Sequence, residues 1–489
     1  MISFIIGIVS VFTGLVFTLI VTRQLSQEEF GTWALIGGLT TYALILRPLI
    51  SFWSVREIAR GEKSGKTAIL STNLIAIIGI MIYLIIAFFF GEQTDVDKTI
   101  LLFAAILIPV EFVRNELSRI AQGSQPQVEE YGVIAFELTK IPIALVLIYF
   151  LDMGLVGLII TSVIATCSSI TILLIRTFDQ IRGKFNKKYL KKWFKLFWIP
   201  MYPTISQIIK VSDVAIFTIF TGSPAGLAYW AAAMAISRFV NNSAKMGKAV
   251  YPKLLSGAKK DYFEKNLTLV FYFAFPLSAM SLAFAKPALF TLNPIYDAAV
   301  MVIVFLIPMI FLRMLSDLFR NALAGIEKVD TNENATFKDY IKSKLFFLPT
   351  LLNIQRGVYL GSLVVMLIIF VPLIEAEVDL VMYWAIVALC TQIPYTIYLY
   401  VLVKKEFRPK LNVKPIFKYL LTSIFVFSLT FVLMEEFLEY KESIFEFLPE
   451  FLKFIALGAI SYFAITYMID SKTKTLFKSV IKEIKNKSD

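Results

Sequence analysis

Histidine is absent from this chain, and cysteine occurs only twice in 489 residues. The first absence removes the commonest proton relay and metal ligand. The two cysteines, Cys167 and Cys390, fall in separate apolar segments, so neither a disulfide framework nor a metal cluster is suggested. Charge is scarce as well: 17% of residues are charged against 58% hydrophobic, and the mean hydropathy is +0.74. A chain of this length and composition carries more apolar surface than a soluble core can bury, and runs of about 20 apolar residues recur throughout it. The class is therefore all-α, a polytopic helical membrane protein.

The net charge of +12 does not point to nucleic acid, because the excess sits in short loops between apolar runs, where topology alone accounts for it. The clearest of these loops is RTFDQIRGKFNKKYLKKWFK, residues 176–195. It carries Arg176, Arg182, Lys184, Lys187, Lys188, Lys191, Lys192 and Lys195 against the single acid Asp179. Such a loop stays on the cytoplasmic face and sets the orientation of every span around it.

Six spans are expected before the loop, at about 2–22, 32–52, 68–90, 99–120, 131–150 and 154–175. The first has no charged leader and is too long for a signal-peptide core, so it reads as a retained helix. Eight more are expected after the loop, at about 196–221, 225–246, 267–285, 297–323, 357–373, 380–403, 416–434 and 451–469. Basic and neutral-to-acidic links alternate between them, giving about fourteen helices with both termini cytoplasmic.

An internal echo supports two bundles. Placing Gly31 on Gly226 aligns EEFGTWALIGGL with SPAGLAYWAAAM, each opening the second helix of its half. Parallel repeats about an axis along the membrane normal are a recognised transporter design, with the substrate site at the repeat interface. The expected division is a six-helix bundle at 1–175, the basic linker at 176–195, a second six-helix bundle at 196–403, and two extra helices with a basic tail at 404–489.

Ionisable residues inside apolar spans carry the functional signal. A charge at the bilayer centre costs about 2.5–3.5 kcal/mol on insertion scales, so such groups face a wet cavity or a partner. Arg47, Arg114, Lys140, Lys210, Arg238 and Arg313 are the candidate cavity cations, and their excess over nearby acids suits an anionic substrate. Glu111, Asp213 and Asp317 are the candidates for coupling to a proton or Na⁺, with simple pairing to Arg114, Lys210 and Arg313 as the alternative role. Glu116, Glu137, Arg119 and Arg320 belong to the same set of intramembrane charges.

GEKSGKT at residues 61–67 is not a phosphate-binding loop. That loop needs four residues between its glycines, and here Arg60 stands at the required glycine position. No cofactor or metal is expected.

The segments TRQLSQEEFGTWALI, REIARGEK, SDVAIFTIFTGSPAGLAYWAAAMAISRF, AVYPKLLS and NPIYDAAVMVIVFLIPMIFLRMLSDLFRNALAGIEK resemble polysaccharide flippases of the Wzx type. That family lies in the superfamily that also holds the multidrug and toxic compound extrusion transporters, and the resemblance covers about residues 1–405. It implies two six-helix bundles in a V shape related by a pseudo-twofold, plus two C-terminal helices. It also implies export of a polyprenyl-diphosphate-linked glycan across the cell membrane, with basic residues at the diphosphate and glycan-assembly enzymes as neighbours. A drug/cation antiporter of the same superfamily is the alternative, expected to show an acidic cavity and about twelve helices. A membrane glycosyltransferase or polymerase needs a large external loop bearing catalytic groups, whereas the longest external link, 435–453, is short.

Overall fold

The computed structural model describes residues 2–195, 197–247, 260–327, 337–408, 413–471 and 473–475. Helices α1 (Ile2–Gln24) and α2 (Gln27–Ala43) open the chain, and α2 runs through a 3₁₀ turn at Leu44–Leu46 toward α3 (Pro48–Ala59). Then come α4 (Gly65–Gln93), α5 (Lys98–Phe103), α6 (Leu107–Ser124), α7 (Pro126–Ala144) and α8 (Gly154–Ile181). The basic stretch holds α9 (Lys187–Lys195). Beyond it lie α10 (Trp198–Met201), α11 (Ile205–Thr221) and α12 (Ala225–Ser237), which continues as a 3₁₀ segment over Arg238–Gly247. The remaining helices are α13 (Lys260–Ala283), α14 (Ala285–Leu292), α15 (Val300–Gly325), α16 (Phe337–Lys342), α17 (Lys344–Phe370), α18 (Glu377–Phe407), α19 (Val413–Phe437) and α20 (Ile444–Ile469). No strand occurs among the described residues.

Eleven helices among the described residues are long and apolar enough to cross a membrane. The other three expected spans correspond to α1, to α5 and α6 with the 3₁₀ turn between them, and to α12 with its 3₁₀ continuation. The last two are where charges interrupt the apolar run. The expected start of the eleventh span at about 357 is corrected to Lys344, which moves Arg356 from the mouth of the helix to its middle. The AVYPKLLS segment lies outside the described residues.

Helix α4 shows why these helices belong in lipid. Its outward face carries Leu74, Ile77, Ile78, Met81, Ile85, Phe88 and Phe89, all exposed, while Ala68, Ser71, Thr72, Ala76 and Gly79 are buried. The packed face is thus smaller and more polar than the exposed one. In water that arrangement is unfavourable; in a bilayer it lets backbones approach closely while the large side chains meet acyl chains.

The described chain forms two compact units, Met1–Ala231 with Leu352–Val381, and Ala232–Leu351 with Met382–Asp489. In the first, α6 packs against α3, α4, α7 and α8. The basic stretch is held to this unit by α9, whose Trp193 is fully buried and stacked on Tyr189 at 6.0 Å. Lys192 pairs with Glu57 at 2.6 Å, and the Tyr189 hydroxyl donates to Glu62 at 2.5 Å. The bond to the Glu62 carboxylate pushes the Tyr189 phenol up to about 12.

The second unit is aromatic at its centre. Tyr272 on α13, Tyr419 and Phe427 on α19, and Phe447, Phe451 and Tyr462 on α20 form one buried cluster. The Tyr462 hydroxyl donates to the Tyr272 carbonyl at 2.8 Å and the Tyr419 hydroxyl to Asp470 at 2.9 Å. Burial pushes the Asp470 carboxyl up, but hydrogen bonds from Thr473 and Tyr419 and the charge of Lys418 outweigh it and hold the group below its ordinary value. The C-terminal pair of helices is therefore packed into this unit through side chains that satisfy one another's polar tips.

The cytoplasmic placement expected of the basic loops is open to direct test. In a background with Cys167 and Cys390 replaced, Lys188→Cys is expected to resist a membrane-impermeant thiol reagent in intact cells, and Glu439→Cys to react. Labelling of position 188 from outside overturns the orientation.

Candidate functional site

Arg47 is positioned by the residue that follows it. Pro48 has no N–H to give to the Leu44 carbonyl, so the helix tightens into its 3₁₀ turn there. The freed carbonyl accepts from the Arg47 backbone at 3.1 Å and from Arg47 Nε at 3.1 Å. The rest of the guanidinium points toward α6, with Nη1 3.9 Å from Glu111 Oε2. Arg114, one turn further along α6, grips the same carboxylate with two bonds of 3.2 and 2.8 Å. Two arginines thus share one acid, all three part exposed at 29%, 33% and 21% of their side chains. The cluster keeps a net positive charge beside the apolar core of α6, where dielectric screening is weak.

Lys140 stands apart from that cluster. Its ammonium is 2.5 Å from Glu137, which also accepts from Thr13 at 2.5 Å, and the rings of Phe17 and Phe136 lie 5.3 and 5.4 Å away. Lys140 and Glu137 are both buried, so this cation is a neutralised one within the bundle.

On α11, Asp213 is buried and accepts from the Tyr359 hydroxyl of α17 at 2.8 Å. Lys210 and Arg356 contribute positive charge around it. Lys210 is thus joined by Arg356, which lies just outside the span expected to start at about 357 and is in fact inside the helix that starts at Lys344. The adjacent Ser212 accepts from the Tyr42 hydroxyl at 2.7 Å, tying α11 to α2.

Arg238 and Arg313 belong to the second unit. Arg238 opens the 3₁₀ segment after α12 and is exposed; Arg313 is on α15 and half-buried. Each feels the other's charge, and among the described residues neither has a carboxylate within ion-pair distance. Asp317, for which pairing with Arg313 four residues back is the alternative to ion coupling, takes Arg320 at 2.7 Å. An acid placed N-terminal to its cation by three or four residues is the better-oriented helical pair, so the carboxylate turns forward and leaves Arg313 without it.

No family model and no curated protein matches the chain. Solved structures do. The lipid II flippase MurJ in an inward closed conformation superposes with a TM-score of 0.67 at 15% identity, over 95% of this chain and 98% of that one. An inward-facing multidrug resistance MATE family transporter of the MOP superfamily gives 0.59 at 12% identity, over 82% of this chain and 96% of that one. A MATE structure in the straight conformation gives 0.53 at 13% identity, over 83% and 94%. At such identities the likeness is one of fold: this chain is an all-α, multi-pass membrane protein with the fold of MOP-superfamily transporters.

Proposed function

We propose that this protein is a flippase that moves a lipid-diphosphate-linked oligosaccharide or polysaccharide unit from the inner to the outer leaflet of the cell membrane by alternating access between two six-helix bundles. The observation that carries this reading is the Arg238 and Arg313 pair: two mutually repelling cations, one on the 3₁₀ continuation of α12 and one on the membrane-length α15, with no acid within ion-pair distance among the described residues. A diphosphate supplies the missing negative charge, and guanidinium groups donate to phosphate oxygens in bidentate geometry. Arg47 and Arg114 bring surplus positive charge of the same kind to the first unit, and Lys210 with Arg356 adds more around Asp213.

The physical need is to keep a diphosphate and several sugars hydrated, or equivalently hydrogen-bonded, while the lipid tail remains in hydrocarbon. No bond is made or broken. Glu111, Asp213 and Asp317 are the proposed points of coupling to a proton or Na⁺ gradient. Against an antiporter of small cations stands the sign of these clusters, which is positive. The fold match to the flippase also extends over 95% of this chain, against 82% for the inward-facing MATE transporter.

The test is reconstitution into proteoliposomes with a polyprenyl-diphosphate-linked oligosaccharide in one leaflet. Transfer to the other leaflet, driven by a proton or Na⁺ gradient or by the lipid gradient itself, is the expected result. Stimulation by ATP alone with no gradient, or transport of a small cationic drug with none of the lipid, overturns the proposal.

A further inference from the structure

Glu116 is the most secluded acid among the described residues of the first unit, at 1% exposure, and none of the roles above uses it. It sits at the middle of α6 where α3 and α4 pack against that helix. Its Oε1 is 2.5 Å from Ser54 Oγ on α3, and its Oε2 is 3.1 Å from Thr72 Oγ1 on α4. Both hydroxyls are themselves buried. Among the described residues no cation lies within ion-pair distance of it.

The charged groups on the surrounding helices are committed elsewhere. Glu57, one turn beyond Ser54 on α3, is held by Lys192. Arg119, one turn along α6, gives Nη1 to Gln122 at 2.8 Å and contributes only a distant charge. Glu129 on α7 accepts from Ser118, and on α8 Arg176 lies over the Tyr131 ring. Helix α4 carries charge only near its ends, at Lys66 and Glu92. An ionised carboxylate with two neutral hydroxyl partners and no cation, enclosed at bilayer depth, is poorly compensated.

The hydrogen-bond geometry suits the acid form. Ser54 Oγ has an acceptor of its own, the Ser51 carbonyl at 3.3 Å. A protonated Glu116 therefore donates through Oε1 to Ser54 Oγ, Ser54 donates onward to Ser51, and Thr72 donates to Oε2, leaving every polar proton of the three side chains engaged.

We infer that Glu116, Ser54 and Thr72 form a proton-binding site joining α3, α4 and α6, occupied in this conformation. Releasing the proton strands a charge between three helices, so the site ties their packing to proton occupancy. The folded state then holds one proton more than the unfolded chain, and stability falls as pH rises.

The experiment uses the full-length protein in detergent and does not depend on any transport assay. Wild-type minus Glu116→Gln infrared difference spectra at neutral pH are expected to show the carbonyl stretch of a protonated carboxylic acid, fading at alkaline pH. Over the same range the thermal midpoint of the wild type is expected to fall more steeply than that of Glu116→Gln, whose amide keeps both hydrogen bonds without a titrating proton. Should Glu116→Gln fail to accumulate, Ser54→Ala serves instead, because loss of the acceptor is expected to shift the acid band in frequency. A carboxylate band from Glu116 at neutral pH, an acid band unmoved by Ser54→Ala, or a spectrum that responds to Na⁺ at constant pH overturns the inference.

Discussion

Replacing Arg313 by alanine is expected to cut flipping of the lipid-linked glycan by about ten- to a hundredfold, the loss of one charge-assisted contact of about 1.5–3 kcal/mol. Arg238→Ala is expected to do the same, and glutamate at either position to abolish transport. Membrane abundance should not fall in any of these variants. The two arginines repel one another and among the described residues hold no carboxylate, so removing one relieves like-charge repulsion and strands no described acid. Lysine should retain part of the activity, because it keeps the charge and loses the planar fork.

Arg114 gives the contrasting case. It shares Glu111 with Arg47, but it makes both short bonds while Arg47 stands off at 3.9 Å. Arg114→Ala is expected to lower abundance as well as flipping, with abundance restored by Glu111→Gln. The checks are surface glycan, reconstituted flipping and immunoblot of the membrane fraction measured on the same variants. Full transport by an Arg238→Ala, Arg313→Ala double variant removes these residues from the substrate site.

The second large effect is steric. At Gly31 an added Cβ lands on the backbone carbonyl oxygen of Pro224, so α2 meets the turn before α12 with no room for a methyl group. At Gly226, which donates its N–H to Glu377, a Cβ falls 2.6 and 2.8 Å from ring atoms of Phe217 and 2.9 Å from Glu377. Gln27 Nε2 adds a bond to the Ala225 carbonyl at 3.3 Å across the same contact.

Alanine at position 31 is expected to cost about 1–3 kcal/mol, the ordinary penalty of overpacking, because the atom in the way is backbone and cannot rotate aside. Alanine at Gly226 meets a ring that can turn, and should cost less. Gly37→Ala is the control: nothing lies within 4 Å of its Cβ, so it should be neutral or stabilising by about 0.5–1 kcal/mol through helix entropy. Thermal midpoints in detergent separate the three, and a Gly31→Ala protein as stable as Gly37→Ala contradicts the contact.

These two sets of residues show what could be read without a structure and what could not. Gly31 and Gly226 attracted notice as matching positions of an internal echo; that each is needed for a helix contact depends on Pro224, Phe217 and Glu377, which no spacing connects to them. Likewise Arg47 was legible as a charge within an apolar span, and Pro48 beside it as a break, because both are local properties of the chain. The grip on Glu111, 64 positions away, was not.

The sequence by itself determined the membrane class, the all-α fold and the approximate position of most spans, since a helix in lipid satisfies its backbone internally and needs only enough consecutive apolar residues. Placing the start of α17 at Lys344 was beyond it, because a polar approach masks where helical hydrogen bonding begins. Only the tertiary structure decided the partner of each intramembrane charge: Lys140 neutralised by Glu137, Asp317 turned to Arg320, Asp213 met by Tyr359, Glu116 enclosed by two hydroxyls, and Arg238 under the positive charge of Arg313. The physical reason is rotational. Helices apolar around their whole circumference carry little periodicity to say which face turns inward, and a rotation of one residue, about 100°, changes the partner of every charge they bear.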